Sequence, residues 1–324
     1  MKPNDSIQEA LAVAQSNGML LAPHDRALRS ALYRRANDPA LTSPLPGIYA
    51  DAAAWNALSP LKRYLQILKT LANMHPNWIF CGLSAAALYG LAVPYTRMHL
   101  IHIAGGETIT KGRIARHHIA NPQPKLVQGI LATSLERTIF DCVVSSGFRT
   151  GLAIADSTLR VYGLTQDELG KRIEEACHGL PGINRVRAIL PYADRRSENG
   201  GESYARAVMI ENGVMIPELQ VPIIDELTNT VYRSDFGWRL KPHPTMGELD
   251  GKEKYERIAR DQGKTIDDVM REERLRESRI RNKGFIFARF SFKQVREVTP
   301  LLAILDSCGV PRVRAPLQLP DIIN

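Results

Sequence analysis

The feature that most constrains this 324-residue chain is the order of periodicities in its last third. Residues 202–212 place Tyr204, Ala205, Val208 and Met209 at helical spacing, which gives one apolar face for packing. Three short β-rich runs follow at 219–224, 231–238 and 245–250, the last closed by Gly251. Thr265 is placed to cap a long, charge-dense helix through Lys283, Gly284 stops it, and residues 285–290 return as a strand. An α-β-β-β-α-β order predicts a sheet covered by helices and an α/β (α+β) fold class.

Acidic residues fall at the useful places in that order. Asp235 comes late in the second strand, and Glu248 and Asp250 end the third. Residues two apart on a strand share one face of the sheet, so Glu248 and Asp250 point the same way. Neighbouring strands are about 5 Å apart, which lets Asp235 face that pair across the ladder. Glu202 lies on the preceding helix. Like charges in one pocket raise each other's pKa or recruit a cation. An oxygen-only set suits Mg²⁺ or Mn²⁺, so one of these is the expected cofactor, held by Asp235, Glu248 and Asp250. Such an ion polarises a phosphate and activates water, and Lys252 or Lys254 is placed to stabilise the developing charge.

The first segment, residues 1–54, predicts helices followed by a hairpin. Ile7, Leu11, Val13 and Ala14 form a stripe that Asn17-Gly18 ends. Residues 25–36 give a second helix carrying Arg26, Arg29, Arg34 and Arg35, before a turn-rich stretch ending in Gly47-Ile48-Tyr49-Ala50. Helices followed by a β wing predict a winged helix-turn-helix, whose arginines meet phosphates and guanine edges of DNA.

Residues 55–195 predict a mixed α/β middle segment. A helix is expected at 60–74, a short buried run at 78–81 and strands at 99–104 and 112–119, while 84–89 is a stretch rich in small residues that ends at Gly90. Capping boxes at Thr133/Glu136 and Thr165/Glu168 open two further helices. His99/His102 and His117-His118 fall on opposite strand faces within each pair, so ordinary polar or core histidines are expected there. A third segment is expected from residue 196 to 324.

Between residues 196 and 285 the chain resembles the Vsr-like branch of the PD-(D/E)xK nuclease superfamily, which has a restriction-endonuclease-like fold. The resemblance is carried by Arg196-Ser197-Glu198-Asn199-Gly200-Gly201-Glu202-Ser203 and Ser234-Asp235-Phe236-Gly237-Trp238. It continues through Gly247-Glu248-Leu249-Asp250-Gly251-Lys252-Glu253-Lys254-Tyr255, Glu273-Arg274-Leu275-Arg276-Glu277 and Gly284-Phe285. Gly47-Ile48-Tyr49 and Leu83-Ser84-Ala85-Ala86-Ala87-Leu88-Tyr89-Gly90-Leu91 resemble proteins in which an AbiEi-antitoxin-like winged helix precedes such a domain. The resemblance implies metal-ligand roles for Asp235 and Glu248, and makes Glu202 the acidic residue of the leading helix. Where the family pattern has E-x-K, this chain has Glu248-Leu249-Asp250, which moves the lysine to Lys252 or Lys254 or removes its role.

The formal net charge of +8 favours polyanionic partners, DNA first. Lys254 joins the four N-terminal arginines as a phosphate contact. The four cysteines, Cys81, Cys142, Cys177 and Cys308, form no C-x-x-C pair, which points to reduced thiols. The N-terminus has no secretory leader and no run reaches membrane-spanning length, so a cytoplasmic protein without a membrane partner is expected. Two functions fit these residues: a Mg²⁺-dependent endonuclease, or a non-catalytic DNA-binding antitoxin or transcriptional regulator with a cognate toxin as partner. A structural protein with a relict nuclease fold is the third.

Overall fold

The computed structural model describes residues 3–35, 37–225, 230–250 and 284–313, together with isolated positions between 263 and 275 and between 315 and 319. The chain is α+β, and its contacts divide it into two units, Met1–Cys142 and Val143–Asn324.

The first unit opens with α1 (Pro3–Ser16) and α2 (Arg26–Arg34), followed by the antiparallel hairpin β1 (Leu41–Leu45) and β2 (Ile48–Asp51). Leu21 exchanges two main-chain hydrogen bonds with Tyr49, each 2.9 Å, an isolated antiparallel bridge onto β2. Ile7, Leu11, Leu21, Leu32 and Tyr49 form the core here, with Ala10 and Ala14 packed against it. Val13, expected in that stripe, is instead exposed. At 100° per residue, the 7-11-14 face turns position 13 outward.

Next come α3 (Ala52–Ala57), α4 (Pro60–Met74), β3 (Ile79–Phe80) and α5 (Gly82–Leu88). Five short strands follow: β4 (Ile101–Ala104), β5 (Ile109–Lys111), β6 (Ile114–His117), β7 (Lys125–Val127) and β8 (Ile130–Ala132). With β3 they assemble in the order β5-β6-β4-β3-β8-β7, and Phe80, Ile101, Ile103 and Ala132 on the central strands are fully buried. The His102 amide donates to Ser84 Oγ, Ser84 pairs with the Tyr64 hydroxyl at 2.6 Å, and Tyr64 donates to the Leu100 carbonyl. This relay fastens α4, α5 and β4 together, and burial pushes the Tyr64 hydroxyl pKa well up.

Helix α6 (Leu135–Tyr162) is broken at Gly147, whose φ of 78° lies in the region glycine tolerates best. The expected Thr133/Glu136 cap is displaced by one residue. Ser134 Oγ accepts the Arg137 amide at 3.3 Å, while Thr133 Oγ1 is taken by Thr138 Oγ1 at 2.7 Å. The Thr165/Glu168 capping box is present and opens α7 (Gln166–Cys177), which is followed by α8 (Ile183–Ile189).

The second unit is built on α9 (Gly200–Glu211) and the strands β9 (Glu218–Asp225), β10 (Thr230–Trp238), β11 (Thr245–Asp250) and β12 (Ile286–Ser291). The sheet order is β12-β11-β10-β9, with β11 and β12 parallel and the other pairs antiparallel. Two parallel strands need a long crossover between them, and the expected helix at 265–283 falls in that crossover. Its cap is in place, since Thr265 Oγ1 accepts the Asp268 amide at 3.1 Å, while most of the remaining span lies outside the described residues. One sheet face packs through Phe236, Trp238, Ala288 and Phe290 onto α9, α10 (Phe292–Glu297) and α11 (Thr299–Ser307). The other carries a smaller cluster of Val221, Ile223, Met246 and Phe287.

A buried ion pair joins α9 to the second half of α6. Arg206 Nη2 lies 2.7 Å from both Asp156 oxygens, with the two side chains 3% and 0% exposed. Arg206 Nη1 donates to the Tyr192 carbonyl and the Asp194 amide donates to Asp156. Burial pushes the Asp156 carboxyl pKa up, against the pull of the Arg206 charge. Removing one partner strands the other in a dry interior. Arg206→Ala is therefore expected to lower the unfolding free energy by about 3–5 kcal/mol in urea titrations. A loss below about 1 kcal/mol, the scale of an exposed pair, would contradict this reading.

Candidate functional site

Asp235 lies where the β10–β11 ladder ends. The β10–β11 pairing ends at Phe236↔Gly247, and the β9–β10 register passes from Ser234↔Val221 to Phe236↔Leu219 without pairing Asp235. Gln220, which stands opposite, has a positive φ of 54°. Where the ladder lapses, the Asp235 carboxylate takes over as acceptor, receiving the Leu249 amide at 2.9 Å. Asp235 is thereby tied to the residue between Glu248 and Asp250. Two glycines allow the strands to close so tightly. A Cβ at Gly237 would lie 2.6 Å from Val221 Cγ2, and one at Gly247 would lie 3.0 Å from Phe236 and from Trp238.

Glu202 occupies the first turn of α9, where the helix dipole favours negative charge. Asn199 caps the helix through Oδ1, which accepts the amides of Gly201 and Glu202. The Glu202 carboxylate accepts from the Glu198 amide at 2.8 Å, Asn199 Nδ2 at 2.5 Å and Gln220 Nε2 at 3.3 Å. Gln220 therefore links Glu202 to the strand facing Asp235. Glu202, Asp235 and Glu248 are 4%, 7% and 4% exposed, a degree of burial rarely tolerated by carboxylates without polar partners.

Asp250 differs from these three. Its Oδ1 lies 2.6 Å from Arg289 Nη2 and its Oδ2 lies 3.3 Å from Arg289 Nε, so a guanidinium on β12 neutralises it. Among the described residues, no group of three or more His, Cys, Asp or Glu side chains is arranged to hold a metal ion. Lys252 and Lys254 lie outside the described residues.

In the first unit, α2 turns Leu28, Ala31 and Leu32 inward. Arg26, Arg29, Arg34 and Tyr33 face out, Tyr33 being 76% exposed. Arg35 is half-buried at the helix C-terminus, where its amide bonds back to Leu32. Asp25 caps the start, accepting the Leu28 amide at 2.7 Å. The helix thus presents three arginines and a tyrosine to solvent.

One pairing escapes a reading of the sequence. His102 Nδ1 lies 2.9 Å from His117 Nε2, across parallel strands whose register sets Ala104 beside His117. With ring centroids 5.1 Å apart and planes inclined by 20°, the two nitrogens meet nearly head-on and share one proton. Only the β4–β6 register, which no spacing reveals, brings them together. All four cysteines are free thiols, and three of them are buried. No described helix is long and apolar enough to cross a membrane.

No known family profile matches the chain, and no solved structure matches it. It is similar to two uncharacterized proteins of Mycobacterium tuberculosis, from strains CDC 1551 / Oshkosh and H37Rv. Each is 33% identical over 161 residues, which is 49% of this chain and 58% of the relative. The chain thus spans little more than half the length of these curated relatives.

The histidine pair has a consequence for stability. Burial, then the neighbouring His117, His99 and Arg97, lower the His102 pKa from 6.5 to about 4. A folded pKa below the unfolded value means that the unfolded chain binds more protons between the two. Its stabilisation is complete above pH 6.5 and is lost as pH falls through 4. Thermal melts between these pH values should show wild type losing more stability than His102→Gln, and parallel curves would contradict this.

Proposed function

We propose that this is a cytoplasmic DNA-acting protein. In this reading the first unit carries a winged-helix-like DNA contact, and the second is a restriction-endonuclease-like domain that hydrolyses phosphodiester bonds. The observation carrying the nuclease reading is the burial of Glu202 on α9, Asp235 on β10 and Glu248 on β11, with Asp235 bound to the Leu249 amide next to Glu248. Magnesium keeps most of its waters and needs only one or two protein carboxylates, and the all-oxygen chemistry of Asp235 and Glu248 fits it. When bound there, Mg²⁺ or Mn²⁺ supplies Lewis acidity toward a phosphoryl oxygen and toward a water. Glu202, fixed by three donors, orients Gln220 beside Asp235. The Arg289–Asp250 pair keeps one guanidinium next to the acidic strand end, where it can meet a phosphate. Lys252 remains the proposed charge stabiliser and Lys254 a proposed phosphate contact.

Incubated with supercoiled DNA and Mg²⁺ or Mn²⁺, wild type is expected to cut. Asp235→Ala and Glu248→Ala should each reduce the rate by at least about a hundredfold, the scale set by losing one transition-state stabiliser. Equal rates in all three proteins would overturn the nuclease reading.

The Asp250–Arg289 pair also favours a second reading. Where the family pattern has a lysine, this chain has a neutralised carboxylate, as a non-catalytic DNA-binding antitoxin or regulator with a cognate toxin could tolerate. Under that reading Arg26, Arg29 and Arg34 of α2, with Arg35 at its end, meet DNA, and the triple change Arg26→Gln/Arg29→Gln/Arg34→Gln abolishes sequence-specific binding while no variant cuts. Unchanged specific binding would exclude α2 as the reading helix.

A further inference from the structure

The positive charge of this protein is concentrated in one stretch. Residues 1–51 hold five Lys/Arg and five Asp/Glu, so the α1–α2 hairpin segment is neutral overall. Residues 52–135 hold eight Lys/Arg and one acid, Glu107, a net +7 of the chain's +8. Five of the eight histidines also fall here: His75, His99, His102, His117 and His118.

The structure shows which of these charges face solvent. Arg113 is committed internally, donating to the carbonyls of His99, Pro44 and Met98. Arg63 donates to the carbonyls of Trp55 and Asn56, and Arg116 lies over Trp78. Lys62, Lys69, Arg97, Lys111 and Lys125 are exposed, and among the described residues none of them is in an ion pair. Lys62 and Lys69 are seven residues apart on α4, on one face and about 10 Å from each other. Arg97 lies in the turn before β4, while Lys111 and Lys125 sit on β5 and β7, the two edges of the six-stranded sheet. Five inter-strand steps of about 4.8 Å separate those edges by roughly 24 Å, or about seven base-pair steps of duplex at 3.4 Å each.

We infer that the six-stranded-sheet region of the first unit binds the phosphate backbone of duplex DNA through Lys62, Lys69, Arg97, Lys111 and Lys125, as a non-specific surface additional to α2. Unpaired cations in a segment with a single acid form a field that attracts polyanions and is relieved by neutralising phosphates. An anionic membrane is a poorer match to this surface. A membrane-binding helix lays an apolar face into the lipid, and the apolar face of α4 (Tyr64, Ile67, Leu68 and Leu71) is buried inside the protein. The division of labour follows: α2, in a neutral segment, reads sequence, and the sheet region supplies affinity and steering. The inference rests on the proposed reading that this chain acts on DNA.

The test is the salt dependence of binding of the full chain to a short mixed-sequence DNA duplex, followed by fluorescence anisotropy. Each lost phosphate contact flattens the slope of log K against log salt by about 0.9. The fivefold variant Lys62→Gln/Lys69→Gln/Arg97→Gln/Lys111→Gln/Lys125→Gln should flatten it by about 2 to 4. The charge-preserving variant, with arginine for each lysine and lysine for Arg97, should keep the wild-type slope. Since all five side chains are solvent-facing, matching melts of the two variants separate lost contacts from lost folding. Wild-type binding with an unchanged slope in the fivefold variant overturns this inference alone. Absence of wild-type duplex binding overturns both this inference and the DNA reading. Charge-dependent binding to phosphatidylserine vesicles without duplex binding would also overturn it.

Discussion

The second unit is organised by the cost of burying carboxylates. Glu202, Asp235, Glu248 and Asp156 are each under 10% exposed. A carboxylate taken out of water needs donors or cations in return. Asp156 receives a full guanidinium from Arg206 and an amide from Asp194. Glu202 receives an amide, an asparagine and a glutamine at a helix start, and Asp235 receives the Leu249 amide where the ladder lapses. These solutions position α9 over the sheet and fix the strand ends. A simpler core would fill the same places with apolar side chains at no electrostatic cost. Retaining charge there is a local conflict of the kind that marks functional positions.

Much of the fold is legible in the sequence because each element is locally consistent. The strands expected at 219–224, 231–238 and 245–250 appear as β9, β10 and β11 within about one residue at each end. Burial alternates along β9, while residues 234–238 of β10 and 245–248 of β11 are buried without alternation because they lie centrally in the sheet. The Thr165/Glu168 capping box is a contact between near neighbours and forms as read. The Thr133/Glu136 box has the same spacing, yet the Thr133 hydroxyl pairs with that of Thr138, five residues on, and Ser134 caps the helix instead. The hairpin of β7 and β8 carries too few residues to show a periodicity, with three in each strand.

The site is legible in part. The placement of Asp235 and Glu248 late on adjoining strands follows from strand order and period alone. The partners of the acids do not. Arg289 reaches Asp250 from 39 residues away, through a parallel pairing that only the folded sheet defines. Gln220 becomes a partner of Glu202 only through a positive φ that nothing in its residue type announces. The His102–His117 contact depends in the same way on the β4–β6 register. Charge shows a different contrast. Four arginines on or beside α2 draw attention, yet their segment is neutral overall, and the surplus lies in a stretch defined by its missing acids.

The central claim is that Asp235 and Glu248 together hold a divalent cation with oxygen ligands. The most direct measurement is electron paramagnetic resonance of Mn²⁺ titrated into the full chain, where bound ion is read as loss of the free hexa-aquo signal. The account predicts one bound Mn²⁺ per chain, displaced by excess Mg²⁺ and lost in both Asp235→Asn and Glu248→Gln. An undiminished free-ion signal at millimolar Mn²⁺, or binding that survives both substitutions, would contradict it.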